Sequence, residues 1–397
     1  MRISSPRLSP TRREFLKASS LASLGLLLGA SRPTWGNDGP QISGWTSFRN
    51  GHQNHGVADA DLPRDLNLLW EVESKDGIPS TPLIADGHAY CGTLSGDLLC
   101  LELESGKEVW KYKTVEMEDP KSFPPGFQAP IALDAEAVFG GDDLGTFHAV
   151  DRKTGKRLWT YETDGEIVGG PQIVGENVLF GSHDGFLYLL NCKTGAKVWA
   201  AETNGPINGT PCLSENFTFT TACDQPILKV FNIEDGTQTS DVPLEDLLIA
   251  SAAVRNGILY FGSDSGTVYA LDWQNKKVVW KFSVPNREQQ IQSSPAVTDK
   301  HVFIGTRDKY LYAIDRESGE QIWAFQTRAR IDSSPVVCGD RVFFGCSDKN
   351  LYAVNIADGT EAWKYFARQS ITGSPAIAEG KLLIGTEKTN GKLLCFG

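Results

Sequence analysis

Short apolar runs separated by polar turns recur along most of the chain. In one stretch, the runs 331–337, 341–345, 350–355 and 361–365 are rich in β-branched and aromatic residues, which favour strands. The Gly-Asp, Ser-Asp-Lys and Asp-Gly sequences between these runs favour tight turns. The pattern predicts four short β-strands in about 40 residues, which is the length of one β-propeller blade.

An 11-residue motif, Ala-x-Asp-x-x-Thr-Gly-Lys-x-x-Trp, ends most of these units, and its clearest copy runs from Ala149 to Trp159. Ser240 takes the place of the tryptophan in one further copy. The residues that end successive copies, counted from Trp70 and including Ser240, lie 40 to 49 residues apart. This regularity indicates eight repeats. The tryptophans that end the copies, together with Trp70 before the first copy, are Trp70, Trp110, Trp159, Trp199, Trp280, Trp323 and Trp363.

A second signature, Ile-x-Ser/Gly-Ser/Thr-Pro, opens each unit. Its copies begin at Ile78, Ile167, Ile207, Ile249, Ile291, Ile331 and Ile371, with a degenerate copy at Gly126. The last unit contains only three strands, and the segment 68–72 matches the strand that ends every other unit. We therefore predict an all-β fold: an eight-bladed β-propeller of four-stranded antiparallel blades. The N-terminal strand joins the C-terminal blade and closes the ring, which removes an open sheet edge.

The first 36 residues predict a twin-arginine signal peptide. Arg12 and Arg13 precede Phe-Leu-Lys and an apolar run at 18–30, which is followed by small residues. The prediction is export by the Tat pathway to the periplasm or another extracytoplasmic location. The apolar run is too short to cross a bilayer, so no membrane span is predicted. The domain organisation is then a signal peptide at 1–36, a lead-in segment at 37–65 and the propeller at 66–397.

Net charge and cysteine spacing limit the possible partners and cofactors. The formal net charge is −11, and the first 36 residues are basic, so the remainder is more acidic still. Such a surface repels polyanions, and no nucleic-acid partner is expected. The 8 cysteines form no C-x-x-C pair and lie mostly in apolar runs, which is typical of small buried side chains. We expect a monomer.

The 11-residue motif resembles the tryptophan-docking motif of the PQQ-repeat family. That family includes the eight-bladed quinoprotein alcohol dehydrogenases and the outer-membrane assembly factor BamB. The resemblance covers residues 66–397 and implies that the seven tryptophans named above pack between neighbouring blades, as structural docking residues. Trp45-x-x-Phe48-Arg49, with Gly51 and Gly56 after it, is similar to the lead-in of many exported members.

The second residue of each opening signature is expected to face the central channel, where propellers commonly bind ligands. Three polar members of this ring, Asn208, Gln292 and Asp332, are candidates for binding something small and polar. His52 and His55 lie close together, but no third metal ligand is near them in sequence. The full ring is Pro79, Phe127, Val168, Asn208, Ala250, Gln292, Asp332 and Thr372.

Resemblance to the quinoprotein dehydrogenases implies Ca²⁺ held by several Glu, Asn and Asp oxygens, with an Asp as base. The ring offers one carboxylate, Asp332, and the chain has no adjacent cysteine pair. We therefore predict no catalytic residue, no metal site and no cofactor. Pyrroloquinoline quinone (PQQ) with calcium enters only under an alternative function.

Two functions remain open, and whether the chain is an enzyme is not decided. The first is an exported, non-catalytic periplasmic binding or scaffold propeller of BamB-like architecture, whose partner is an unidentified envelope protein or peptide. The alternative is a small PQQ-dependent alcohol or sugar dehydrogenase. Chain length and the missing calcium ligands favour the first. The longest connection between units, 114–127, is either a partner loop or a tolerated surface insertion.

Overall fold

The computed structural model describes residues 42–115, 124–221, 225–284, 289–387 and 389–397. Within these ranges the chain forms strands and turns and contains no helix. No helix in this part of the chain is therefore long and apolar enough to cross a membrane. The predicted signal peptide, most of the insertion 114–127 and Cys223 lie outside the described residues.

The described ranges contain 34 strands, numbered here in chain order. They are β1 (Gly44–Trp45), β2 (Val57–Ala58), β3 (Leu68–Ser74), β4 (Leu83–Ala85), β5 (His88–Gly92), β6 (Asp97–Glu102), β7 (Glu108–Lys113), β8 (Ala132–Leu133), β9 (Ala137–Gly141), β10 (Thr146–Asp151), β11 (Arg157–Glu162), β12 (Gln172–Val174), β13 (Asn177–Gly181), β14 (Phe186–Asn191), β15 (Lys197–Glu202), β16 (Cys212–Ser214), β17 (Phe217–Thr221), β18 (Ile227–Asn232), β19 (Gln238–Pro243), β20 (Ala253–Arg255), β21 (Ile258–Gly262), β22 (Thr267–Asp272), β23 (Lys277–Ser283), β24 (Ala296–Val297), β25 (His301–Gly305), β26 (Tyr310–Asp315), β27 (Gln321–Gln326), β28 (Val336–Cys338), β29 (Arg341–Gly345), β30 (Asn350–Asn355), β31 (Glu361–Phe366), β32 (Ala376–Ala378), β33 (Lys381–Gly385) and β34 (Gly391–Phe396).

These strands form eight antiparallel blades, which confirms the predicted propeller. Blade 1 consists of β4 to β7, and each of blades 2 to 7 consists of the next four strands, ending with β28 to β31. Blade 8 consists of β32 to β34 and β3. The inner strand of each blade is only two or three residues long, because the blades converge there on the channel.

The N-terminal strand β3 closes the ring, as predicted. It pairs antiparallel with β34, and the register places Trp70 opposite Cys395 and Glu71 opposite Leu394. Beyond the strand, Asn67 and Gly397 exchange two backbone hydrogen bonds of 3.1 and 3.2 Å. The outer edge of blade 8 is therefore covered by a segment from the other end of the chain, and blade 8 has the same four strands as its neighbours.

Burial within a blade follows from the position of each strand. In blade 6 the middle strands β25 and β26 are almost wholly buried, because neighbouring blades cover both of their faces. In the outer strand β27 only Trp323 is buried and Phe325 is half-buried, whereas the other residues are exposed, because one face of this strand meets solvent. The seven cysteines in the described ranges are buried and form no disulfide.

Candidate functional site

Residues 44–58 of the lead-in lie inside the ring, along the inner strands. Strand β1 pairs antiparallel with β4 of blade 1, and β2 pairs parallel with β28 of blade 7. Between these two strands, lead-in carbonyls accept hydrogen bonds from inner-strand amides of blades 2, 4, 5 and 6. These pairs are Leu133–Thr46 (2.8 Å), Leu213–His52 (2.7 Å), Val254–Gln53 (3.0 Å) and Val297–His55 (2.8 Å). The chain's own backbone therefore occupies the part of the central channel that is lined by the inner strands, next to the opening signatures.

Arg49 attaches this segment to blade 6. Its side chain is fully buried, and Nη2 donates a hydrogen bond of 2.8 Å to the carbonyl of Pro295. Nε and Nη1 have no hydrogen-bond partner among the described residues. Burial lowers the pKa of Arg49 to about 9, which still leaves the guanidinium charged at neutral pH. A Cβ at Gly56 would lie 1.9 Å from Nη2, so glycine is needed where the guanidinium packs against the backbone.

Asn54 joins the lead-in to three further blades. Its Nδ2 donates to the carbonyls of Thr210 (3.3 Å) and Ala252 (3.1 Å), which belong to blades 4 and 5. Its Oδ1 accepts a hydrogen bond of 2.9 Å from Nε2 of Gln172 in blade 3. Only 1% of Asn54 is exposed, so these bonds replace the water that the amide would otherwise bind.

His55 is held as a neutral imidazole rather than as a metal ligand. Its Nε2 lies 2.7 Å from the carbonyl of Val254, and its Nδ1 lies 3.3 Å from Nη1 of Arg255. Nε2 therefore donates and Nδ1 accepts. Burial lowers the pKa of His55, as it does for His52. The described ranges contain no group of three or more His, Cys, Asp or Glu side chains placed to hold a metal ion.

The sheet register corrects two copies of the opening signature by one residue. The amide of Phe127 donates to the carbonyl of Thr93 (2.9 Å), as the amide of Ile78 does to Thr386 (3.0 Å). Phe127, not Gly126, therefore occupies the first position of blade 2. A bulky, buried side chain is characteristic of the first position, and a neighbouring glycine leaves the space that this side chain fills.

Blade 5 requires the same correction. Thr210 in the fourth position of blade 4 donates its amide to Oγ of Ser251 (2.8 Å), as Ser294 does to Ser334 (2.9 Å). Ser251 is thus also in the fourth position, and Leu248, not Ile249, is in the first. The corrected ring of second positions is Pro79, Gln128, Val168, Asn208, Ile249, Gln292, Asp332 and Thr372.

The carboxylate of Asp332 is neutralised by two arginines. Its Oδ1 accepts from Nε of Arg307 (2.8 Å), and its Oδ2 accepts from Nε of Arg330 (2.8 Å). Nη2 of Arg307 adds a longer contact of 3.4 Å to Oδ2. The Asp332 side chain is 10% exposed. Both carboxylate oxygens are therefore engaged by guanidinium groups, and the two positive charges oppose the approach of a cation to Asp332.

The three candidate polar residues do not form one cluster. Asn208 belongs to blade 4, and its Oδ1 lies 2.6 Å from Nε2 of His183 in blade 3. Gln292 belongs to blade 6 and Asp332 to blade 7, so they lie two and three blades away from Asn208. A site for Ca²⁺ and PQQ needs several oxygen ligands, but the ring provides one carboxylate, and that carboxylate is already bonded to two arginines. The lead-in also occupies the adjacent part of the channel. These residues do not fit that cofactor.

Each of the seven predicted docking tryptophans donates its indole Nε1 to a backbone carbonyl across the seam between two blades. Trp70 bonds to Leu103 (2.8 Å), for example, and Trp363 bonds to Leu66 (3.1 Å) at the ring closure. The other five bonds, in chain order, are Trp110–Arg152, Trp159–Cys192, Trp199–Ile233, Trp280–Arg316 and Trp323–Ile356.

Comparison with known proteins identifies the family. Residues 56–210 and 224–397 match the PQQ_2 family, described as outer membrane protein assembly factor BamB. The chain belongs to this family. The matched residues include seven blades and the two outer strands of blade 4, so the family assignment rests on the repeated blade rather than on a local motif.

Relatives of two kinds share part of the sequence. Quinohemoprotein alcohol dehydrogenase ADH IIB of Pseudomonas putida is 29% identical over 133 residues, which are 31% of this chain and 19% of that protein. BamB of Burkholderia pseudomallei is 31% identical over 118 residues, 30% of this chain and 28% of that protein. The matches to ADH IIB, a 1-butanol dehydrogenase and a lupanine 17-hydroxylase span 19%, 23% and 23% of those proteins.

The fold is shared more widely than the sequence. The crystal structure of quinohemoprotein alcohol dehydrogenase from Comamonas testosteroni superposes with a TM-score of 0.74 at 13% identity. That superposition covers 89% of this chain and 80% of the dehydrogenase. At this identity the likeness demonstrates the propeller and not its chemistry.

Proposed function

We propose that this protein is a non-catalytic binding or scaffold propeller of the bacterial cell envelope, BamB-like in architecture. The observation that carries the proposal is the path of the lead-in, which fills the channel beyond the signature ring with the chain's own backbone. A propeller filled in this way offers its loops and faces for binding, rather than an internal cofactor site.

Export through the Tat pathway to the periplasm is part of this proposal. It is supported by the paired arginines at Arg12 and Arg13 ahead of an apolar run. It is also supported by relatives that are named as outer membrane assembly factors. A fusion of residues 1–36 to a reporter that is active only after folded export tests the pathway, with Arg12→Lys plus Arg13→Lys as the control.

A quinoprotein dehydrogenase is the second candidate, because dehydrogenases are among the relatives that match this chain. Against it stands the pairing of Asp332 with Arg307 and Arg330. Dye-linked assays with alcohols and aldose sugars, after incubation with PQQ and Ca²⁺, distinguish the two functions. We expect no turnover. Quinone-dependent turnover that disappears in Asp332→Asn contradicts the scaffold function.

A further inference from the structure

Positive charge is concentrated in the loops of blades 6 and 7 at the end of the propeller where the opening signatures lie. In the ranges 306–309, 327–330, 346–349 and 367–370 the chain has six basic and two acidic residues. The six basic residues, called the basic surface here, are Arg307, Lys309, Arg328, Arg330, Lys349 and Arg368.

The corresponding loops on the opposite side of the ring carry the reverse charge. In blades 2 and 3, the ranges 142–145, 163–166, 182–185 and 203–206 contain five acidic residues and no Lys or Arg. In a ring of eight blades, these loops lie across the channel from blades 6 and 7. This end of the propeller therefore has a basic sector on blades 6 and 7 and an acidic sector on blades 2 and 3, although the whole chain has a net charge of −11.

Most of the basic surface is not used by the fold. Lys309, Arg328, Lys349 and Arg368 are exposed, and none of the ion pairs in the described ranges includes them. The other two arginines, which share the carboxylate of Asp332, extend the positive charge to the channel mouth.

Two of these lysines occupy a backbone conformation that suits glycine. Lys309 has φ of 77° and Lys349 has φ of 75°. The amide of Lys309 closes the same turn, to Thr306 (3.3 Å), that Gly145 closes to Asp142 (3.2 Å). A side chain in this region is disfavoured relative to glycine, and such residues are enriched at functional sites. Blades 1, 2, 3 and 5 have glycine at this place: Gly96, Gly145, Gly185 and Gly266.

We propose that the basic surface docks an acidic peptide segment of a partner protein. The proposal rests on the proposed binding function and names the chemistry of the partner. An acidic segment finds its complement on blades 6 and 7, whereas like charge on blades 2 and 3 repels it. A long polyanion or an anionic membrane would cover both sectors and meet that repulsion, so a short segment is the favoured occupant. The charge division also fixes the direction from which the segment approaches.

The test compares two sets of lysine-to-glycine substitutions. Lys309→Gly with Lys349→Gly restores the residue that other blades have in this turn, so the fold is preserved. Lys276→Gly is the matched control, because Lys276 is also exposed, has φ of 53° and takes a glycine position, but in the loop after β22. Fluorescence anisotropy of labelled hexaglutamate with the purified protein is expected to give salt-sensitive binding. We expect the double variant to bind about tenfold more weakly and Lys276→Gly to bind like the wild type.

Three outcomes overturn the proposal. The first is equal hexaglutamate affinity in the wild type and the double variant. The second is equally tight, lysine-dependent binding of vesicles containing phosphatidylglycerol, which makes a membrane the occupant. The third is a dimer in sedimentation that the double variant dissociates, which makes the acidic loops of a second copy the occupant. Dehydrogenase turnover refutes the proposed function instead, and because it is measured separately, the two failures are distinguishable.

Discussion

The indole of Trp323 lies against Gly359 of the next blade, where an added Cβ would come within 2.6 Å of the ring. The same relationship recurs in the pairs Trp70–Gly106, Trp110–Gly155, Trp159–Gly195, Trp199–Gly236 and Trp280–Gly319. Between blades 4 and 5 both residues differ: Ser240 replaces the tryptophan, and Lys276 replaces the glycine. Trp273 packs there against Phe219 instead, with ring centroids 5.0 Å apart. At this seam the tryptophan and the glycine are both replaced, because the glycine is needed only where an indole ring packs against it.

Replacing a docking tryptophan is expected to destabilise the propeller. Trp323→Ala empties a buried aromatic site and breaks the bond of Nε1 to Ile356 (2.8 Å), so the free energy of unfolding should fall by about 3–5 kcal/mol. Ser240→Ala is the control. The Ser240 hydroxyl is buried without a partner among the described residues, so its removal should be nearly silent. Urea unfolding measures both, and a Ser240→Ala loss as large as that of Trp323→Ala refutes the repeat alignment.

Removal of the closing strand is expected to impair the ring. Deletion of residues 66–73 leaves β34 as an open edge and removes the carbonyl of Leu66 that Trp363 bonds. We expect aggregation in size-exclusion chromatography and a large drop in melting temperature. A deletion variant that stays monomeric and melts like the intact protein would show that closure contributes little.

The lead-in is expected to make stability depend on pH. Burial lowers the pKa of His55 in the folded state, so the unfolded chain binds the proton more readily. The contribution of His55 to the free energy of unfolding is therefore complete above about pH 6.5, the pKa of histidine in an unfolded chain, and it decreases as the pH falls below that value. His55→Gln has no titrating ring, and its melting temperature should fall less between about pH 8 and pH 5. Identical slopes for the two proteins would exclude His55 as a cause.

Arg49 and Gly56 should respond to substitution in opposite ways. Gly56→Ala places a methyl group 1.9 Å from Nη2 of Arg49, at a φ of 64°, and should cost about 1–3 kcal/mol of stability. Arg49→Met replaces a buried charge with an apolar chain of similar volume, and should be neutral or stabilising. Chemical denaturation measures both. A large loss in Arg49→Met would show that the buried guanidinium, with its hydrogen bond to Pro295, contributes net stability.

The repeated blade could be predicted from the sequence because its signals are local and periodic. Strand runs, Asp-Gly turns and the tryptophan spacing recur within about 40 residues, so eight copies reinforce one another. The closing strand was recognisable for the same reason, since 68–72 repeats the pattern of every outer strand. The opening signature was less reliable in blades 2 and 5. There the buried bulk of Phe127 and Leu248 defines the register, and isoleucine identity does not.

The contents of the channel depend on contacts between residues far apart in the chain. The sequence by itself determined the all-β class, the number of blades, the tryptophan positions and the closing strand. Only the tertiary structure decided that the lead-in follows the inner strands of six blades and that Asp332 is shared by Arg307 and Arg330. The bond from Arg49 to Pro295 spans 246 residues, and no local pattern encodes such a contact. It exists because the folded ring places the lead-in residues 44–58 at its centre, where the inner strands of distant blades offer free backbone groups that must be paired.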